Sequence, residues 1–286
     1  MRIIQTIAAL QKELAPFRGK NKTIGFVPTM GALHEGHVSL IDMARIENHV
    51  SVCSIFVNPT QFNDPKDLER YPRPLKEDEA LLKKAECNIL FIPSVQEMYP
   101  GGDYTTLTED FGNLDKVMEG KARPGHFAGM ITIVSKLFNA VKPNNAYLGS
   151  KDFQQLTLVK YFAKKHNLPI NIIGCPIIRE ADGLAMSSRN RLLSEEERKR
   201  ATLIPQTMNK VKEMWGTKSI VEIKQFVNDE FTKDGFLKLD YFEISYADTL
   251  VAVEDMPQTP KGALNVVACI AAFDGKIRLI DNIMLA

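Results

Sequence analysis

Two imidazoles three residues apart, His34 and His37, lie in the stretch FVPTMGALHEGHVSL, which runs from Phe26 to Leu40. A helix that begins near Gly36 puts both on one side of its first turn. Unpaired backbone N–H groups gather at such a turn and favour an anion. An imidazole beside them can donate a hydrogen bond to charge growing on a phosphoryl oxygen, with no covalent intermediate. Gly31 and Gly36 would let the backbone come close to a phosphate. A zinc-protease helix needs its histidines four apart, and a GxGxxG dinucleotide loop is absent. On these few letters alone, two surface histidines beside a turn remain the plain alternative.

Three further polar clusters follow strand-like segments. FVNPTQF, after the run Val50 to Val57, carries Asn58 and Gln61 around Pro59. GSKDFQQ, after Ala146 to Leu148, puts Gly149, Ser150, Lys151 and Asp152 at another helix start. READGLAMSSRNR, after a segment ending at Ile178, carries Ser187, Ser188 and Arg189. In an open α/β sheet such loops share the carboxyl edge of the strands. Lysine, arginine and hydroxyls suit a triphosphate, and neutral amides suit a small polar organic acid.

The elements that must position these groups alternate. TIGFVP, VSVCSIFV, NILFIP, AYLG and INIIGCPII read as short buried strands. HVSLIDMARIENH, PLKEDEALLKKAE, FAGMITIVSKLFNAVKP and KDFQQLTLVKYFAKKHN read as helices between them. The alternation predicts an α/β chain with a Rossmann-like, doubly wound parallel sheet over residues 1–178. From Arg179 the pattern changes to helices with charged faces, Ser194 and Glu197 forming a capping box, and then strands without helices between them. GALNVVACIAAF and KIRLIDNIML, joined at Asp274–Gly275, read as a hairpin. Residues 179–286 therefore read as a smaller α+β domain. The first twenty residues read as an amphipathic helix and not a signal peptide, because Gln11, Lys12 and Glu13 break the apolar stretch.

Composition sets the bounds. The 286 residues suffice for one large domain or two modest ones, and a net charge of +1 gives no global pull toward nucleic acid or a membrane. No apolar run reaches membrane-spanning length. The four cysteines, Cys53, Cys87, Cys175 and Cys269, lie far apart, which fits buried thiols in a reducing cytoplasm and not a zinc site or a disulfide framework.

PTMGALHEGH, FVNPTQF, RPGHF, KDFQQ and MSSRN, in this order and spacing, resemble the pantothenate synthetase (pantoate–β-alanine ligase) family, and the likeness reaches RLIDNI near the C-terminus. HEGH and MSSRN are also similar to the HIGH and KMSKS signatures of wider nucleotidyltransferases and class I tRNA synthetases. The resemblance implies that ATP and (R)-pantoate form pantoyl adenylate and pyrophosphate. β-Alanine then gives pantothenate and AMP. It implies a cytoplasmic homodimer whose C-terminal domain closes over the site. Carried over by motif, Met30, Gly31, Ala32, Leu33, His34, Glu35, Gly36 and His37 line the ATP site, with His37 as proton donor. Gly149, Ser150, Lys151, Asp152, Ile178, Met186, Ser187, Ser188 and Arg189 complete it. His37, His34, Lys151 and Arg189 carry the catalytic role, and Gln61 and Gln155 hold pantoate and β-alanine. Ser150 stands where the family commonly has an acid, which leaves the backbone contact in place. Mg2+ arrives with ATP, and Asp78 is a candidate ligand for it.

The chemistry agrees with this. A carboxylate attacking the α-phosphorus builds charge on phosphate oxygens, which positioned cationic donors can answer. A reactive acyl adenylate must be kept from water, and KARPGHFAGM and the C-terminal domain are the candidate covers. A nucleotidyltransferase acting on a phosphorylated small molecule is the runner-up, but should lack the glutamine pair. An RNA-binding relic of a tRNA synthetase should show a basic face and an anticodon-binding domain; the near-neutral charge and the short α+β C-terminal part speak against it.

Overall fold

The computed structural model describes residues 1–18, 21–62, 65–257 and 265–285. Six parallel strands form the main sheet: β1 (Arg2–Ile4), β2 (Ile24–Thr29), β3 (Val50–Ile55), β4 (Ile89–Phe91), β5 (Asn145–Gly149) and β6 (Asn171–Cys175). Their order is β1-β4-β3-β2-β5-β6, so the winding reverses between β2 and β5. Without the edge strand this is the 3-2-1-4-5 order of a Rossmann-like sheet, and ligands of such sheets bind where the winding reverses. β3 is buried along its whole length, as its apolar run requires of a strand covered on both faces.

One expectation needs correction. Residues at the very start of the chain form β1, paired with β4, and the helix begins only at Ile7 and runs to Leu14. Thr6 caps that helix by accepting a hydrogen bond from the Ala9 N–H at 3.3 Å. Gly19 and Lys20, at the end of the stretch read as helical, lie outside the described residues.

The C-terminal part holds an antiparallel sheet, β7 (Leu237–Tyr246), β8 (Val266–Asp274) and β9 (Ile277–Met284), with helices Glu195–Ala201, Leu203–Met214 and Ile220–Asp234. The capping box at Ser194 and Glu197 is formed. The hairpin is also formed: Asp274 pairs with Ile277, and Gly275, at φ +56°, opens the two-residue turn. Residues 262–264 of the stretch read as its first strand lie outside the described residues. β8 is apolar on both sides. Val266, Ala268, Ile270 and Ala272 pack into the C-terminal core, and Val267 and Cys269 into the core beneath the main sheet. All four cysteines are free and buried, and burial raises every one of their pKa values, which makes them poor nucleophiles.

Candidate active site

β2 ends at Thr29, and the chain then turns sharply. Gly31 and Ala32 both adopt positive φ, at +83° and +51°. A Cβ on Gly31 would stand 3.0 Å from both Asp78 Oδ2 and Ile55 Cγ2, so glycine is required there. Asp78 accepts hydrogen bonds from the Ala32 N–H at 2.9 Å and the Leu33 N–H at 2.7 Å. Both of its oxygens are thus used to hold this turn, and burial raises its pKa against those bonds. Asp78, a candidate magnesium ligand from sequence, is here a buried anchor for the turn. Among the described residues no cluster of three His, Cys, Asp or Glu side chains can hold a metal ion.

The helix Glu35–Glu47 starts immediately after this turn, and His34 is its N-cap. His34 Nδ1 accepts from the Gly36 N–H at 3.2 Å, and His37 Nδ1 accepts from the His34 N–H at 3.3 Å. The two rings lie 4.1 Å apart. With each Nδ1 accepting, the neutral tautomer carries its proton on Nε2. A Cβ on Gly36 would come within 2.9 Å of the His34 ring, so glycine here makes room for an imidazole. Loss of solvation, helped by Lys151 and Arg191, lowers the pKa of His34 to about 4. Loss of solvation and the neighbouring His34 lower that of His37 to about 3. At neutral pH these histidines are neutral donors; the cationic role expected from sequence falls to the lysine and arginines.

Gln61 is held from three sides. Asn58 Nδ2 donates to its Oε1 at 3.3 Å, and its own Nε2 lies 2.8 Å from Met30 Sδ. His126 Nδ1 donates to the Gln61 carbonyl at 2.8 Å, which leaves Nε2 to accept from Arg123 at 3.3 Å. Burial and the Arg123 charge lower the pKa of His126 to about 4. Asn58 also donates to the Gly129 carbonyl at 3.0 Å and accepts from the Tyr99 hydroxyl at 2.7 Å. Gln154 and Gln155 divide their work. Gln154 is buried and bonds the carbonyls of Leu114 and Val117, whereas Gln155 faces the cavity.

A cavity of about 300 Å³ opens at the carboxyl edge where the winding reverses. It brings together Met30, His34, Gly36, His37, Gln61, Gly149, Lys151, Asp152, Gln155, Ile178, Met186, Ser187, Ser188 and Arg189. Gly31, Ala32 and Leu33 are buried behind it, and Glu35 and Ser150 do not line it. Tyr71 and Glu119 carry no role in the sequence reading, and Arg123, His126 and Arg278 enter it only as parts of the candidate covers; all five line the wall. The signal for two of them, Arg123 and His126, was the motif RPGHF. Arg278 is neutralised by Glu119 and Asp240, while Arg123 forms no ion pair among the described residues.

The buried imidazoles make stability depend on pH. An unfolded imidazole titrates near 6.5. His34, His37 and His126 in the folded chain bind a proton only near 4, 3 and 4. Between pH 6.5 and about 4 the unfolded chain therefore takes up more protons, and stability falls with pH by at most about 1.4 kcal/mol per unit for each imidazole. His34, the less deeply desolvated of the pair, contributes less. Melting temperatures should be level above pH 7 and fall steadily from pH 6.5 to 5. A level profile to pH 5 would contradict neutral burial of these rings.

An open parallel sheet whose reversal point carries neutral imidazoles, basic side chains and paired amides defines a nucleotide-dependent enzyme acting on a small polar acid. Residues 2–284 match the family model described as pantoate-beta-alanine ligase. The chain is 50% identical over 283 residues to pantothenate synthetase of Bacteroides fragilis, covering 99% of this chain and 98% of that one. It is 47% identical to the Thermotoga neapolitana enzyme over the full length of both chains. The crystal structure of pantothenate synthetase from Thermus thermophilus superposes with a TM-score of 0.91 at 38% identity, covering 100% of this chain and 99% of that one. Pantoate-beta-alanine ligase from Francisella tularensis, complexed with beta-gamma ATP and β-alanine, superposes at 0.78 with 36% identity, covering 100% and 98%. The chain belongs to the pantoate–β-alanine ligase family: it is an ATP-dependent ligase that condenses pantoate with β-alanine.

Proposed function

We propose that the condensation runs through an acyl adenylate assembled in the cavity. A pantoate carboxylate oxygen attacks the α-phosphorus of ATP, the bond to the β-phosphate oxygen breaks, and pyrophosphate leaves. The amine of β-alanine then attacks the acyl carbon, the bond to the AMP oxygen breaks, and the amine gives up a proton. His34 and His37 donate from Nε2 to phosphate oxygens, Lys151 and Arg189 take the triphosphate charge, and Met186, Ser187, Ser188 and Ile178 seat the nucleotide. Gln61 and Gln155 hold pantoate. Asn58 donates to the Gln61 side-chain Oε1 and Met30 Sδ takes one N–H of its amide, so Gln61 presents its remaining N–H to the substrate's oxygens. Neutral amides bind an acid without a competing nucleophile or a like charge. The observation that carries this reading is the meeting, in one cavity, of the paired imidazoles with two amides from different strand ends.

Magnesium enters on the triphosphate and neutralises part of its charge. The described residues provide no acidic cluster for it, so no step is assigned to a protein-bound ion. The division at residue 178, the C-terminal part acting as a lid, the homodimer and the cytoplasmic location extend the family resemblance to this chain. No helix among the described residues is long and apolar enough to cross a membrane. The adenylate reading is tested by exchange of labelled pyrophosphate into ATP. Exchange should require Mg2+ and pantoate and proceed without β-alanine. An obligatory need for the amine would overturn the two-step scheme.

A further inference from the structure

The motif RLIDNI lies on β9, far in sequence from the phosphate-binding turns, yet two of its residues grip them. Asn282 is 4% exposed. Its amide nitrogen donates to the carbonyl of Ser150 at 2.9 Å and to that of Lys151 at 2.8 Å. These carbonyls belong to the short 3-10 turn Ser150–Asp152, which connects β5 to the helix Phe153–Lys165. Asp281, beside it, takes both arms of Arg179 at 2.7 and 3.0 Å. Arg179 in turn donates to the Gly183 carbonyl at 3.0 Å, within the loop that joins Ile178 to Met186. One strand of the C-terminal sheet thus holds both segments that face the nucleotide from beyond the histidines.

We propose that Asn282 is a positioning residue for Lys151. A lysine ammonium on a flexible stem is placed only as well as its backbone is. The turn that carries Lys151 is three residues long, and the half-buried carbonyls of Ser150 and Lys151 find their donors on Asn282. An asparagine amide supplies two N–H groups from one rigid plane, which suits two successive carbonyls. Aspartate would present oxygens to oxygens, and an apolar residue would leave both carbonyls unpaired. The contact sets Lys151 beside His34 and His37, where the positive charge already depresses both imidazoles. The proposal rests on the reading that Lys151 meets the triphosphate.

The test is a double-mutant cycle on ATP affinity, read by calorimetry with the full chain. Asn282→Ala should weaken ATP by about tenfold in the otherwise unaltered chain, and by less than about twofold when Lys151→Ala is already present. Adenosine, which has no phosphates, should bind both single variants alike. If Asn282→Ala does not fold, Asn282→Ser keeps one donor and should give about a threefold loss with the same non-additivity. Equal losses on both backgrounds, an equal loss for adenosine, or no loss at all would each overturn the positioning role. An unaltered affinity for ATP in Lys151→Ala alone would instead overturn the reading of Lys151 on which the proposal stands.

Discussion

Replacing His37 by alanine should slow pantoate-dependent pyrophosphate exchange by about two orders of magnitude, the scale of about 3 kcal/mol for one lost transition-state donor. The ring donates from Nε2 because its Nδ1 is occupied by the His34 N–H. It is neutral in the resting site, so its contribution is a fixed hydrogen bond that strengthens as charge moves onto the phosphate oxygens. The loss should appear in turnover, with the Michaelis constants for ATP and pantoate changed little. The same ring also closes the capping box of the helix Glu35–Glu47, so the variant should lose about 1 kcal/mol of stability as well. His37→Gln, which keeps an N–H donor, should recover part of the rate. Near-normal exchange in His37→Ala would reduce the pair to helix caps beside a turn.

Gly129→Ala should have the opposite sign to the usual helix substitution. Glycine to alanine within an exposed helix stabilises by about 1 kcal/mol. Gly129, in the helix His126–Val141, faces the loop that carries Gln61. A Cβ there would stand 2.2 Å from the Thr60 carbonyl oxygen, 2.6 Å from its carbon and 2.9 Å from the Gln61 nitrogen. These are backbone atoms and cannot rotate away, so helix and loop must separate. The separation strains the bonds from Asn58 to the Gly129 carbonyl and from His126 to the Gln61 carbonyl. Stability should fall by about 2 kcal/mol or more. The Michaelis constant for pantoate should rise at least tenfold, and that for ATP much less. Thermal melts and steady-state kinetics with each substrate varied decide the matter. A raised melting temperature with unchanged pantoate kinetics would mean that the loop does not depend on this contact.

The local grammar of the chain was readable. Gly31 marks the turn after β2 and alternating apolar runs announce a doubly wound sheet, although Pro28, which reads as the break, lies within the strand and pairs with Ser54. Ser194 with Glu197 and the Asp274–Gly275 pair announce a cap and a hairpin. What escaped depends on contacts distant in sequence. β1 is three residues long and exists because β4 offers a parallel edge. Asp78 in a helical run gives no hint that its oxygens are committed to backbone N–H groups 45 and 46 positions earlier. RPGHF was conspicuous as a motif, but the partner of His126 is a carbonyl 65 residues away. The neutrality of His34 and His37 follows from desolvation at the wall of the cleft, which no spacing of letters reveals.

β8 has a consequence for how the molecule can come apart. Its alternate residues belong to two different interiors, and Ala247 and Leu250 follow Val267 and Cys269 into the first. Cutting the chain near residue 178 would therefore strip a greasy stripe from each fragment, not divide two finished bodies. The halves share a wall, so unfolding one would expose an apolar stripe of the other. Any movement of the C-terminal part would have to bend around that wall and leave it whole.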